Sequence, residues 1–477
     1  MKKDSSVKET DNEKMFYKFK NAWLSLSPQE KDLTFKMSEE YKKFLDIGKT
    51  ERECAAEIIS QVKAKGFRNI QDLIKKKETL KEGMKIYSSY KGKTVALFVI
   101  GKEEIEKGMN IIGSHIDSPR LDLKASPLYE DAELALLKTH YYGSVKKYQW
   151  VAIPLSIHGV IIKGNGTKVP IAIGEDHNDP VFVVSDILPH IGKEQAAKKM
   201  SEGITGEQLN VIIGNIPLKD KKIKEHIKLN ILHILKEKYG INEDDFVSAE
   251  IEVVPAGKAK DAGLDRSLIL AYGHDDRVCA FPSLKTILEI EHPQKTAVAL
   301  FTDKEEIGCV GNTGMHSAFF DNTVAELIAL EKGQYNELYL RRALSKSKVL
   351  SSDVNAGFDP NFPEVFDKRN SSFIGKGIVI TKFTGSRGKL GANDANAEFV
   401  GEIKKLFTDN KIVWQAAELG KVDEGGGETI AYILANKGAD VIDCGVAVLN
   451  MHAPFELISK VDLYMAYKAN KAFYMIK

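Results

Sequence analysis

Met109-Asn110-Ile111-Ile112 runs into Gly113-Ser114-His115-Ile116-Asp117, an apolar stretch of strand character that ends on a histidine and a carboxylate. The arrangement recurs along the chain. Gly273-His274-Asp275-Asp276-Arg277 follows Leu268 to Ala271, and Asp303-Lys304-Glu305-Glu306-Ile307-Gly308 follows Thr296 to Phe301. Asp353 follows Val349-Leu350-Ser351-Ser352, and His452 follows the run Val441 to Leu449. Histidine and carboxylate are the ligand chemistry of zinc and similar divalent ions. Helix-period patterns between the segments predict parallel strands that deliver all five motifs to the carboxyl edge of one sheet, where open α/β proteins bind ligands. The pattern reads as a two-metal hydrolase of α/β class, with a mixed, mostly parallel sheet flanked by helices.

Working outward, Thr94 to Ile100 is a second strand-like run. Asn21 to Leu45 reads as helical, with Ser27-Pro28 as a start signal. Thr50-x-x-Glu53 is a capping-box pattern ahead of an amphipathic helix that Gly66 stops. From about Ser126 the texture turns β-rich: Val151 to Leu155, His158 to Ile162, Val169 to Ile173 and Val181 to Val184, separated by turn signals such as Gly164-Asn165-Gly166. Lys222 to Lys238 has apolar positions at helical spacing, and Ser283 to Glu291 looks helical. The expected organisation is a catalytic domain over 15–125 and 255–477, interrupted by a β-rich insertion over 126–254. Residues 1–14, polar and without the apolar core of a signal peptide, read as a mobile tail.

Composition narrows the function classes. A chain of 477 residues can bury a large core. A net charge of +1 gives no electrostatic reason to expect nucleic acid or an anionic membrane as partner. No apolar run approaches the ~20 residues of a membrane span. Cys54, Cys279, Cys309 and Cys444 have no paired spacing and fit reduced thiols in a cytoplasmic protein.

Each motif divides labour in a way that chemistry suggests and spacing leaves open. His115 and Asp117 share a side of an extended chain, so one can be a ligand and the other its orienting group. Of Asp275 and Asp276, adjacent on the chain, one should reach the metals while the other pairs with Arg277 or backbone. Hydrolysis at a metal centre needs a ligand and a base, and Glu305 and Glu306 can share those jobs. Competing motifs fail: Gly308-x-x-Gly311-x-x-Gly314 lacks dinucleotide-loop spacing, Gly425-Gly426-Gly427 is followed by no Gly-Lys-Ser/Thr, and no Gly-x-Ser-x-Gly elbow occurs.

The segments GSHIDSPRLDLK (113–124), AYGHDDRVCAF (271–281), FTDKEEIGCVG (301–311), LSSDVNAG (350–357) and NMHAPFE (450–456) together resemble the aspartyl aminopeptidase and aminopeptidase I family of dinuclear zinc exopeptidases. The resemblance runs from about residue 80 to 477. It implies that His115 and Asp353 hold one zinc, Glu306 and His452 the other, and that Asp275 bridges both. Asp117 would orient His115 and Glu305 would be the general base. It further implies an insertion used for homo-oligomeric assembly, often of twelve subunits. With the cytoplasmic setting read from composition, the overall expectation is an aminopeptidase of small peptides with two zinc ions per chain, for which cobalt or manganese can substitute. Members that favour acidic N-terminal residues carry a substrate-binding Lys with a Tyr seven positions on; Lys382 matches the Lys, but Lys389 stands at the Tyr position. The family's insertion also offers a histidine to a neighbouring active site. Ser185 stands at the corresponding position, and His190 is the nearest candidate. Rival readings are a two-metal amidohydrolase of N-acyl amino acids and a non-catalytic assembly protein on the same fold.

Overall fold

The computed structural model describes residues 15–16, 19–219 and 224–476; the tail expected over 1–14 lies outside them. Both N-terminal start signals act as expected. Ser27 caps the helix Pro28–Ile47 and Thr50 caps Glu51–Ala64, each with the reciprocal bond from the glutamate three residues on. These caps satisfy backbone donors that would otherwise lack partners at the helix start.

A mixed, mostly parallel sheet forms the centre of the molecule. Its strand order is Arg68–Asn69, Lys85–Tyr90, Thr94–Val99, Thr296–Thr302, Met109–His115, Lys348–Ser351, Asp440–Gly445, Ile378–Thr381 and Trp414–Ala416. The four strands from Thr296–Thr302 to Asp440–Gly445 are mutually parallel. They read as continuous apolar runs because both faces are covered. Val95, Leu97, Ala297, Ala299, Phe301 and Ile112 join one core with the helices Glu51–Ala64, His274–Glu289 and Lys460–Tyr474. The alternate residues Ala96, Phe98, Val298, Leu300 and Ile111 join a second core with the helices Phe319–Lys332 and Glu337–Ser345. Alternation of side chains across a strand thus builds two cores from one run, and each fully buried large side chain contributes roughly 1.5–3 kcal/mol.

A separate seven-stranded antiparallel sheet runs from Arg120–Asp131 to Ala249–Pro255 and packs against the helix His226–Tyr239. Its first strand begins at Arg120, ahead of the expected boundary at 126. Two expected strands are shorter than their apolar runs. The chain turns through Val151 to Pro154, pairing only from Leu155, and Val183–Val184 is all that pairs regularly of Val181 to Val184.

The expectation that all five motifs end strands of one sheet is corrected. Three do: His115, the glutamate pair and Asp353 follow central strands. Leu268–Ala271 instead pairs antiparallel with Glu456–Ser459 in a three-stranded sheet. The last central strand stops at Gly445, packed so closely on the Asp353 backbone that a Cβ there would lie 1.8 Å from its carbonyl oxygen. The chain then re-pairs as Ala447–Val448 with Asn355–Ala356. The helix expected at Ser283 starts at His274, inside the second motif. Among the described residues no helix is long and apolar enough to cross a membrane, and the four cysteines are buried and free.

Candidate active site

His115 closes its central strand, and Asp117 lies in the loop beyond it. The imidazole Nδ1 of His115 is 3.1 Å from the carbonyl oxygen of Asp117 and 3.3 Å from its Oδ1. A carbonyl only accepts, so Nδ1 carries the proton and Nε2 is free to bind an electrophile. His452 is arranged the same way: its Nδ1 donates to the carbonyl of Ser144 at 2.9 Å.

Both Nε2 atoms converge on one carboxylate. Asp275 Oδ1 is 3.1 Å from His115 Nε2, and Asp275 Oδ2 is 3.3 Å from His452 Nε2. Around His115 stand Glu305 Oε2 at 3.7 Å and Asp353 Oδ1 at 3.8 Å. Glu306 Oε2 lies 3.5 Å from His452 Nε2, and its buried Oε1 has no hydrogen-bond partner. His115, Glu305 and Glu306, and likewise Asp275, Glu306 and His452, have ligand atoms within 4.8 Å of one another. Lone pairs facing lone pairs at these distances call for cations between them, and the donor set is that of a nitrogen- and oxygen-binding divalent ion. Metal therefore fits these residues.

The electrostatics agree. Burial and neighbouring carboxylates push Glu305 and Glu306 well above the usual range and Asp353 to about 7. Burial would lower His452, but its bond to Asp275 and the charge of Glu306 raise it to about 10. Burial likewise opposes ionisation of Asp275, yet the two histidines outweigh it and hold its carboxyl low.

Asp276 goes elsewhere. Its Oδ2 accepts from the backbone N–H of His115 at 3.4 Å, while Arg277 donates to the carbonyls of Lys49 and Ile116. The partner is therefore the backbone rather than Arg277. Asp276 does form a third group within 4.8 Å with His115 and Asp353. Asp117 is clamped by its surroundings: the backbone N–H groups of Glu305 and Glu306 each donate to it at 3.2 Å, and the Tyr142 hydroxyl donates at 2.8 Å. Gly143 follows, at φ +75°, where a Cβ would press on Glu306 at 3.3 Å; a left-handed, close-approach position of this kind suits glycine.

A cleft of about 290 Å³ opens over these groups, lined by Asp275, Glu305, Glu306, Asp353 and His452 and continuing to Thr429 and Asp443. A family model described as aminopeptidase I zinc metalloprotease (M18) matches residues 44–474. The chain belongs to this family. A relative named Probable M18 family aminopeptidase 1, from Clostridium acetobutylicum, is 55% identical over 455 residues, covering 95% of this chain and 98% of its own. The crystal structure of aminopeptidase I from that organism superposes with a TM-score of 0.91 at 52% identity, over 97% of this chain and 100% of its own. An M18 aminopeptidase from Thermotoga maritima gives a TM-score of 0.91 at 43% identity, over 96% and 99%. The mApe1 dodecamer of S. cerevisiae shares the fold at a TM-score of 0.74 and 19% identity, over 92% and 96%.

This M18 chain is thus a zinc-dependent aminopeptidase, a metalloprotease hydrolase. Of the residues singled out from sequence, the fold brings together His115, Asp117, Asp275, Glu305, Glu306, Asp353 and His452. It leaves Lys382 aside. Lys382 is half-exposed, with its ammonium 3.1 Å from Asp394, and does not line the cleft. His190, expected to serve a neighbouring chain's site, is exposed on a turn beyond the strand Val183–Val184. The sequence reading missed Tyr142 and Glu456. Fully buried Glu456 accepts from the backbone N–H of Asp275 at 3.0 Å and from that of His452 at 2.8 Å, tying two elements of the site to one carboxylate. Its place inside NMHAPFE was the only signal.

Proposed function

We propose that this M18 aminopeptidase releases the N-terminal residue from small peptides with two divalent ions per chain. One ion would be held by His115, Asp275 and Asp353, and the other by Asp275, Glu306 and His452. The observation that carries the reading is Asp275, whose two oxygens face two imidazoles oriented by backbone carbonyls. Bound zinc, or cobalt or manganese in its place, supplies Lewis-acid polarisation of the scissile carbonyl and acidification of water. Glu305, which the paired ligands do not need, takes the proton of the attacking water and returns it to the leaving amine. Asp117 keeps His115 in its Nδ1–H tautomer, and the carboxylates facing the cleft favour the substrate's free ammonium. The preference for acidic residues that Lys382 suggested is not carried into this reading, since Asp394 takes up its ammonium. The chain works in the cytoplasm as a homo-oligomer, an assembly for which the apolar surface of the insertion is suited.

Elemental analysis of fully active enzyme tests the metal count: two ions per chain are expected, lost with activity on chelation and restored together. One ion per fully active chain would sink the two-metal reading. Blocking the substrate's amino group should abolish cleavage, whereas retained cleavage would favour an amidohydrolase.

A further inference from the structure

Beyond the metal-type residues the cleft continues to Thr381, Thr384, Glu428, Thr429 and Asp443. Asp443 stands on the strand Asp440–Gly445, in register with Ser351 of the parallel neighbour. Ser351 precedes Asp353 by two residues, so Asp443 sits about 7 Å deeper in the sheet than Asp353. Only 3% of Asp443 is exposed. Its Oδ1 accepts from the Thr429 hydroxyl at 2.7 Å, and its Oδ2 has no hydrogen-bond partner. Burial opposes its ionised form, while the Thr429 and Ser351 hydroxyls favour it. The Ser351 hydroxyl, itself without a well-formed bond, is an adjacent donor for that oxygen, and an ammonium arriving through the cleft would add a stronger, charge-assisted bond.

The charge around it has one sign. Glu428 adds a second, exposed carboxylate, and among the described residues no lysine or arginine lines the cleft. Nearby cations are engaged elsewhere. Lys382 and Lys389 share Asp394 at 3.1 and 2.9 Å, Lys389 also lies over the Phe383 ring, and Arg387 lines a separate recess beside Phe383 and Gly385.

We infer that this end of the cleft is the subsite for the side chain of the substrate's N-terminal residue, and that it takes a cationic one, lysine or arginine, with Asp443 and Glu428 determining that specificity. The inference rests on the aminopeptidase reading above. The substrate's α-amino group is held two bonds from the reacting carbon and stays near the metal-type residues. The four-carbon stem of lysine can carry its ammonium to the depth of Asp443. An acidic side chain would meet two carboxylates and no cation there, a juxtaposition that disfavours binding.

The test compares kcat/KM of the metal-loaded enzyme on Lys-, Arg-, Leu- and Asp-aminoacyl fluorophores. Lys and Arg are expected to exceed Asp by about ten-fold or more, and Asp443→Asn to lower the Lys-to-Leu ratio by about ten-fold, the size of one lost charge-assisted hydrogen bond. Glu428→Gln, at an exposed position that tolerates exchange, should lower the ratio in the same direction and serves if Asp443→Asn fails to fold. Lys382→Ala should leave the Asp-to-Leu ratio unchanged. Cleavage of Asp above Lys overturns the inference. So does an unchanged ratio in both carboxylate variants, or an equal loss on all four substrates, which would assign Asp443 to the α-amino group or to the fold. A wild-type enzyme that cleaves none of the four but hydrolyses N-acyl amino acids would instead remove the aminopeptidase reading itself.

Discussion

Glu305 and Glu306 are chain neighbours with different surroundings. Glu306 Oε2 stands by His452 and its Oε1 is buried without a partner, whereas Glu305 faces His115 from the cleft side and is not needed to complete either proposed ligand set. The amide of glutamine cannot accept a proton from water, so Glu305→Gln should keep near-normal metal content and lose activity by about 10³-fold. Glu306→Gln should lose metal first. Metal analysis beside kcat separates them, and equal metal loss in both variants would show the roles to be wrongly divided. The ligand-type residues were legible in sequence because metal chemistry restricts them to few types and strand ends mark them. Tyr142 and Glu456 were not. They act through Asp117 and through backbone N–H groups, contacts that exist only once distant segments meet. Spacing left Asp275 and Asp276 open for the same reason, since only the fold sets one carboxylate between two imidazoles, and it was the family resemblance that singled out Asp275.

At the scale of elements, the helix Glu51–Ala64 meets the strand Leu155–Ile162 through His158. Its Nδ1 is 2.8 Å from Glu53 and its Nε2 3.3 Å from Glu175, which also pairs with Lys49. Burial would lower the imidazole, but the two carboxylates outweigh it and raise it to about 8 from 6.5. A raised histidine stabilises fully below its unfolded value and ceases to do so as pH climbs through its folded one. The contact should therefore contribute at pH 6 and fade between pH 6.5 and 8, by about 2 kcal/mol at most. Thermal unfolding of wild type and His158→Gln at pH 6 and pH 9 checks this: the gap in Tm should narrow at the higher pH, and a constant gap would count against it. Local signals such as the Ser27 and Thr50 caps were readable because a cap involves residues three apart. Sheet membership was not, since nothing within Leu268 to Ala271 says that its partner is Glu456–Ser459. Val151 to Pro154 has a strand's composition, and its chain turns instead.

At the scale of the whole molecule, the antiparallel sheet supplies no proposed metal ligand but carries exposed apolar residues on its loops, among them Val181, Ile187, Leu188, Ile191 and Ile216. Surfaces of this kind are covered by association, and closed symmetry covers them without open-ended growth. Light scattering should give a mass well above two chains of 53.0 kDa, and a monomer or dimer would exclude a larger closed assembly. The same sheet has a second hold on the enzyme. The strand Leu134–Tyr142 ends on the hydroxyl that clamps Asp117, and Ser144, just beyond it, orients His452. The sheet is consequently no interchangeable module. A chimera that borrows this sheet from another protein would have to keep Tyr142-Gly143-Ser144 in place, and one that trims it away would unfasten both histidines at once.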